Sequence, residues 1–273
     1  MTRELIIDEL VARGYEVQST DIVKNGVTLK GITIGTGNIR PTIYTEQFED
    51  ANNVDFVVDK IIEIYEESHK NIPLINTEEL MNWDYTKTRL QLCIQKKGNE
   101  NIVKRNFLDL EQYVRVYVSD DGSFKVTPEH LEKFGVSEDA LFHAAWDCTK
   151  STITETSMVE VLAEMMGVDA DELEEQMIAS GQMQIVVSNK NKVHGAVAIC
   201  DTEMLTNIAN KYESNLVILP SSIHECIVIP MEDIHLSELT AMVQDVNETQ
   251  VDPAEQLSDH AYIFNKNTME IIW

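Results

Sequence analysis

Bases are scarce in one half of this chain. From Tyr212 to Asn265 there is neither lysine nor arginine, and residues 151–273 hold 21 acidic side chains against four lysines, Lys190, Lys192, Lys211 and Lys266. The whole chain of 273 residues carries 47 acids and 21 bases, a net charge of −26. A field of that sign repels nucleic acid and anionic membrane and attracts cationic partners. No basic patch with interleaved aromatics is present, so direct nucleic-acid binding is not expected.

Other absences exclude further classes. The four cysteines, Cys93, Cys148, Cys200 and Cys226, form no C-x-x-C, which leaves no zinc ribbon or redox dithiol and fits buried free thiols in a reducing compartment. Every apolar run is broken within about ten positions, too short for a membrane helix. The opening "MTRELIIDELVARGYE" reads as an amphipathic helix carrying acids, not as a signal peptide. The expected location is the cytoplasm. No phosphate-binding G-x-x-x-x-G-K-[ST] occurs, and "GTGNIR" places Arg40 where a dinucleotide loop needs glycine. H-E-x-x-H, G-x-S-x-G and the base-deaminase pair of motifs are missing as well. No cofactor is expected.

What is present is a pattern of hairpins and helices. Asn25-Gly26 between β-rich runs signals a hairpin. "RPTIYTEQF" adds a strand, and Val54, Val57, Val58, Ile61, Ile62 and Tyr65 share one face of a helix. "LQLCIQ" and "YVRVYVSDDGSFKVT" read as extended, the second turning at Asp121-Gly122. Thr127-Pro128 and Ser137 start helices. Asp169 caps a third, with Val168 as staple and Gly181 as stop. "MQIVVSNKNKVHGAVAIC" reads as two strands about an Asn-Lys-Asn turn. "NLVILP" and "CIVIP" are strands, Leu236 to Val246 a helix, and "HAYIFNKNTMEIIW" a hairpin. The fold class is α+β, with largely antiparallel sheets, flanking helices and two packed subdomains. The expected division is 1–105, an α-β-β-β-α domain, and 106–273, an acidic α+β domain.

"LPSSIHECIVIP", residues 219–230, is the one stretch that offers chemistry. His224 and Glu225 could join Asp259 and His260 of "LSDHAYIF" in a metal or acid-base site, since histidine and carboxylate are its usual ligands. The plainer reading is a corner, in which Ser221 or Ser222 caps a turn and His224 bonds to backbone. That reading is preferred. Met165, Met166, Met177, Met183 and Met242 are expected to fill core.

Several stretches together, "GITIGTGNIRPTIYTEQF", "MVEVLAEMMG", "VVSNKNKVHGAVAICD", "LVILPSSIHECIVIP" and "LTAMVQDVNETQVDPAEQLSDHAYIFN", resemble an uncharacterised bacterial family catalogued as a domain of unknown function (DUF5688-like). The resemblance spans nearly the whole chain. It implies a cytoplasmic protein of Gram-positive gut anaerobes, often near mobile elements, and brings no catalytic residues with it. The expectation is a non-enzymatic interaction protein whose acidic surface docks on a protein with a basic surface. Its sharper form is an inhibitor of a nucleic-acid-processing enzyme, of antirestriction or anti-CRISPR type. Glu172, Glu174, Glu175, Asp245 and Glu248 are the candidate contacts. The alternatives are a metal-dependent hydrolase centred on His224, Glu225, Asp259 and His260, or a small-molecule-binding regulatory protein.

Overall fold

A computed structural model describes residues 1–36, 40, 42–71, 77–119, 122–167, 169–179, 183–220, 222–231 and 235–273; the described side chains exclude 69–71, 161, 164, 165, 176 and 179. The fold is α+β, built on three antiparallel sheets.

The first sheet belongs to the N-terminal unit. Helix α1 (Arg3–Ala12) starts at Thr2, whose hydroxyl accepts the Leu5 amide. Strands β1 (Val17–Lys24) and β2 (Val27–Ile34) pair along their full length. They turn at Asn25 and Gly26, both at positive φ (52° and 80°), as a tight hairpin matched to strand twist requires. β3 (Thr42–Tyr44) joins β2, and α2 (Val54–Asn71) lays Val57, Val58 and Ile61 over Ile6, Leu10, Ile32 and Ile34.

Two single turns, α3 (Thr77–Leu80) and α4 (Trp83–Thr86), lead into the second sheet. Its strands are β4 (Leu90–Lys96), β5 (Lys104–Phe107), β6 (Leu110–Tyr117) and β7 (Ser123–Lys125). β4 pairs along β6, while β5 and β7 meet β6 end to end on its other edge. A boundary at residue 105 therefore falls inside β5. The apolar cores separate earlier: one draws on residues up to Tyr65, the other begins at Met81.

The rest of the chain supplies α5 (Pro128–Phe134), α6 (Glu138–Lys150), β8 (Ile153–Ser157), α7 (Met158–Met166), α8 (Ala170–Ala179), β9 (Ile185–Asn189), α9 (Thr202–Lys211), β10 (Leu216–Leu219), β11 (Cys226–Pro230), α10 (Leu236–Thr249), β12 (Tyr262–Asn265) and β13 (Glu270–Ile272). The caps follow the sequence: Thr127, Ser137 and Asp169 each accept an amide of the next helical turn. Strands order as β13-β12-β10-β11-β9-β8. "LVIL" and "CIVIP" are oily throughout because both faces of this sheet are covered. Leu216, Ile218 and Val228 face the main core, shared with Leu92, Ile94 and Val114 of the second sheet. Val217, Leu219 and Ile229 face Leu239 and Val243 of α10.

Between the two larger sheets the chain does not form the second strand expected from its sequence. "GAVAIC" is not a strand but a 3-10 turn, Gly195–Cys200, in which Gly195 to Ile199 are all buried. Its backbone bonds elsewhere: the Ala196 amide donates to the Ile223 carbonyl at 3.2 Å. A buried segment without ladder partners has to satisfy its polar groups in this way. The methionines divide too. Met183 is buried and Met177 packs partly on the core, but Met166 and Met242 are 65% and 51% exposed, so core filling does not describe them. Asp121, Val168, Gly181, Ser221 and the side chain of Met165, which the sequence reading used, lie outside the described residues. The cysteines are free, but only Cys93 and Cys226 are buried while Cys148 and Cys200 are partly exposed; burial lifts the Cys93 and Cys200 thiols to about 12, which keeps them protonated and unreactive. Among the described residues no helix is long and apolar enough to cross a membrane.

Gly195 sits where no side chain fits. A Cβ there would collide with Ser188 Oγ and lie 2.6 Å from both the Asn189 nitrogen and the His224 carbonyl oxygen. Two of those neighbours are backbone and cannot rotate away. Gly195→Ala is expected to lower unfolding free energy by about 2–3 kcal/mol or more. Gly98→Ala, with nothing within 4 Å, should change it by less than about 0.5 kcal/mol. Urea unfolding of both variants checks this.

Candidate functional site

The corner between β10 and β11 lies against residues 252–258. The Ile223 amide donates to the Glu255 carbonyl at 2.8 Å, the Ser258 amide donates to the Pro220 carbonyl at 3.0 Å, and Ser222 bridges Gln256. Ser222 Oγ accepts the His224 amide at 3.0 Å, so this serine satisfies its own turn. His224 Nδ1 accepts the His194 amide at 3.3 Å. The neutral ring must then carry its proton on Nε2, which lies 3.4 Å from Glu255 Oε1. The lone pair of the neutral ring, on Nδ1, is therefore taken up by the His194 amide.

His194 stacks on His224, with ring centroids 5.7 Å apart at 26°. Asn189 builds the turn that delivers it: its Oδ1 accepts the Asn191 and Val193 amides at 3.1 and 3.3 Å, and its Nδ2 donates to the Val193 carbonyl at 2.8 Å. His194 is left-handed, at φ 54°. Its Nδ1 is enclosed and takes no hydrogen bond. Burial, with the positive charges of Arg115, Lys24 and Lys125 around it, pushes the imidazole down to about 3 and keeps it neutral.

Asp259 and His260 have other neighbours. His260 Nδ1 is 2.6 Å from Asp259 Oδ1 and 3.9 Å from Asp109 Oδ2, and its ring meets Trp273 edge-on. Asp109 stands on the β5–β6 turn beside Leu108, a non-glycine residue at φ 55°. It accepts the Tyr262 hydroxyl at 2.5 Å and the Ser258 hydroxyl at 2.9 Å. Burial and this bond to a carboxylate together push the Tyr262 phenol far up. The four residues expected to converge thus divide: His224 faces His194 and Glu255, His260 faces Asp259 and Asp109, and Glu225 stands half-buried before β11. Among the described residues no group of three or more His, Cys, Asp or Glu is arranged to hold a metal ion. The sequence reading missed His194, Glu255 and Asp109. Only for Asp109 was there a signal, since "FLDL" joins two strand-like runs by a two-residue turn.

Beside this second cluster opens a cleft of about 580 Å³, lined by Lys96, Asp109, Gln244, Asn247, Glu248 and Asp259 among others. α10 presents Gln244, Asn247 and Glu248 at helical spacing on one face. The N-terminal unit reaches the same place. Asn25 Oδ1 accepts the Lys96 amide at 2.8 Å, and Asn25 Nδ2 donates to the Gln256 carbonyl. Of the candidate contact residues, Glu172, Glu175, Asp245 and Glu248 are exposed. Glu174 is not: it accepts from Lys211 at 2.9 Å and from the Tyr212 hydroxyl at 2.8 Å, which holds its carboxyl below the usual range.

The fold and this site define an acidic α+β protein with a polar cleft, without a metal cluster among the described residues. The chain belongs to a family of unknown function, DUF5688, whose sequence model matches residues 3–266. No curated protein matches the chain. No solved structure matches it either.

Two outcomes follow from the histidine stack. His224→Ala removes the acceptor of the His194 amide and should cost about 1–3 kcal/mol of stability by thermal melting. His194 titrates near 6.5 when unfolded but near 3 when folded. Between those values the unfolded chain binds a proton that the folded chain refuses, so stability falls as pH drops through 6.5. The limiting slope is about 1.4 kcal/mol per pH unit. His194→Asn, which tolerates the left-handed backbone, should lose less stability than the wild type between pH 7 and pH 4.5 in urea titrations.

Proposed function

We propose that this protein is a non-enzymatic interaction protein that docks its acidic C-terminal surface on a basic partner, of the class of nucleic-acid-processing enzymes. One observation carries the reading. Residues 151–273 hold 21 acids against four lysines, and on α8 and α10 the carboxylates of Glu172, Glu175, Glu238, Asp245 and Glu248 are exposed. Of the four lysines, Lys211 is already paired with Glu174, so these two charges cancel each other and Lys211 does not offset the exposed carboxylates. Carboxylates spaced along helices can occupy the positions that phosphates take in a basic groove, steer association, and lose that advantage as salt screens them. The His194 amide occupies the lone pair of His224 Nδ1, which favours binding over catalysis.

The test is capture from host lysate at low salt with the protein immobilised, followed by salt elution. The expected result is recovery of nucleic-acid-handling enzymes that elute as salt rises. A variant carrying Glu172→Gln, Glu175→Gln and Asp245→Asn should keep its melting temperature, because single exposed charges contribute about 0–1 kcal/mol, and should associate about tenfold more slowly with the captured partner at low salt. Recovery of no nucleic-acid-handling protein would remove this partner class. Unchanged association of the variant would exclude α8 and this part of α10 as the docking face.

A further inference from the structure

A residue in the wall of the cleft beside α10 holds an acceptor that the protein itself leaves unused. Asn247 is 6% exposed and forms part of the cleft wall. Its Nδ2 donates to the Ser258 carbonyl at 2.8 Å, and a carbonyl can only accept, so the orientation of the amide is determined. The opposite end, Oδ1, is enclosed and takes no hydrogen bond. A buried acceptor left in that condition carries a desolvation penalty that a donor from outside would relieve.

The groups around it call for the same kind of ligand. Asp109, Glu248 and Asp259 bring carboxylates to the cleft. Lys96 also lines it, but its ammonium donates to Gln256 Oε1 at 3.2 Å. An anion would meet three carboxylates and no free donor at Asn247. A bare metal ion would need a tight ligand cluster, which the described residues lack. A guanidinium or primary ammonium group satisfies both demands, because it brings several N–H donors and a positive charge together. The volume, about 580 Å³, also accommodates the alkyl chain that such a group carries.

We propose that this cleft is a receptor for a single guanidinium or primary ammonium group, which donates to Asn247 Oδ1 while Glu248 and Asp259 hold its charge. Two sources supply that chemistry: a free small cation, or an arginine or lysine side chain of a docked protein. In the second case the inference rests on the docking reading above; in the first it stands alone.

Titration calorimetry of the full chain at low salt, with agmatine, spermidine and a blocked Gly-Arg-Gly peptide as separate probes, tests it. At least one probe should bind saturably with one-to-one stoichiometry, and the Asn247 side-chain amide resonance should shift on saturation. Glu248→Gln and Asp259→Asn, both at exposed positions, should each weaken binding about tenfold. The double variant Glu66→Gln/Glu67→Gln, exposed on α2 and outside the cleft lining, should leave it within about twofold, because exposed charges away from the site contribute little individually. Binding of agmatine or spermidine assigns a free cation, and binding of the peptide alone assigns a partner's side chain. No saturable binding by any probe, equal weakening by the α2 variant, or an unmoved Asn247 resonance would overturn the proposal. The docking reading would survive that result, since the lysate capture tests it through different residues.

Discussion

The backbone of Gly195–Ile199 is buried between the two larger sheets, and much of the molecule is arranged around that fact. A chain segment can run through a core only if its side chains are small and its amides find partners. Glycine and alanine meet the first condition at 195, 196 and 198. The second draws in the corner at 220–226, whose Ile223 carbonyl receives the Ala196 amide and whose His224 carbonyl receives Ser188. Once those bonds form, the loop ahead of Gly195 and the corner ahead of β11 stand face to face. The contact between His194 and His224 follows from this packing.

That origin explains why the most suggestive stretch of sequence does not behave as a reactive centre. The His194 amide holds the His224 ring, burial first and neighbouring cations second keep His194 neutral, and the serine of the corner serves its own turn. Polar groups with spare capacity lie on the other side of residues 252–260, where Asp109, Asn247, Glu248 and Asp259 gather around the cleft. One short segment therefore separates a polar cluster closed around a ring stack from one that borders a cleft. The cleft is where a second molecule has something to gain.

Much of the fold could be read from the residues. Asn25-Gly26, Thr127-Pro128 and the twin runs "LVIL" and "CIVIP" are local signals, and local geometry answers them directly. The reading of "GAVAIC" failed because an apolar run looks alike whether it is a central strand or an irregular segment inside a core. The sheets decide between them, and their positions are not local. The site was less legible for the same reason. His224 meets His194 thirty residues upstream, and Asp109 meets Tyr262 across 153 residues; no spacing rule brings such pairs together. Exposure was also hidden: Glu174 reads as a surface acid beside Glu172 and Glu175, yet it faces Lys211 and Tyr212.

The clamp on Asn25 bears on the order in which the molecule forms. The first hairpin of the chain can turn on its own, since its pairing is local and Asn-Gly supplies the turn. Its tip, however, is held by Lys96 on one side and by Gln256 on the other, the second 231 residues further along the chain. Closing so distant a contact is slow compared with forming the hairpin. During synthesis from the N-terminus, the unit that emerges first must wait for almost all of the protein before it can be seated.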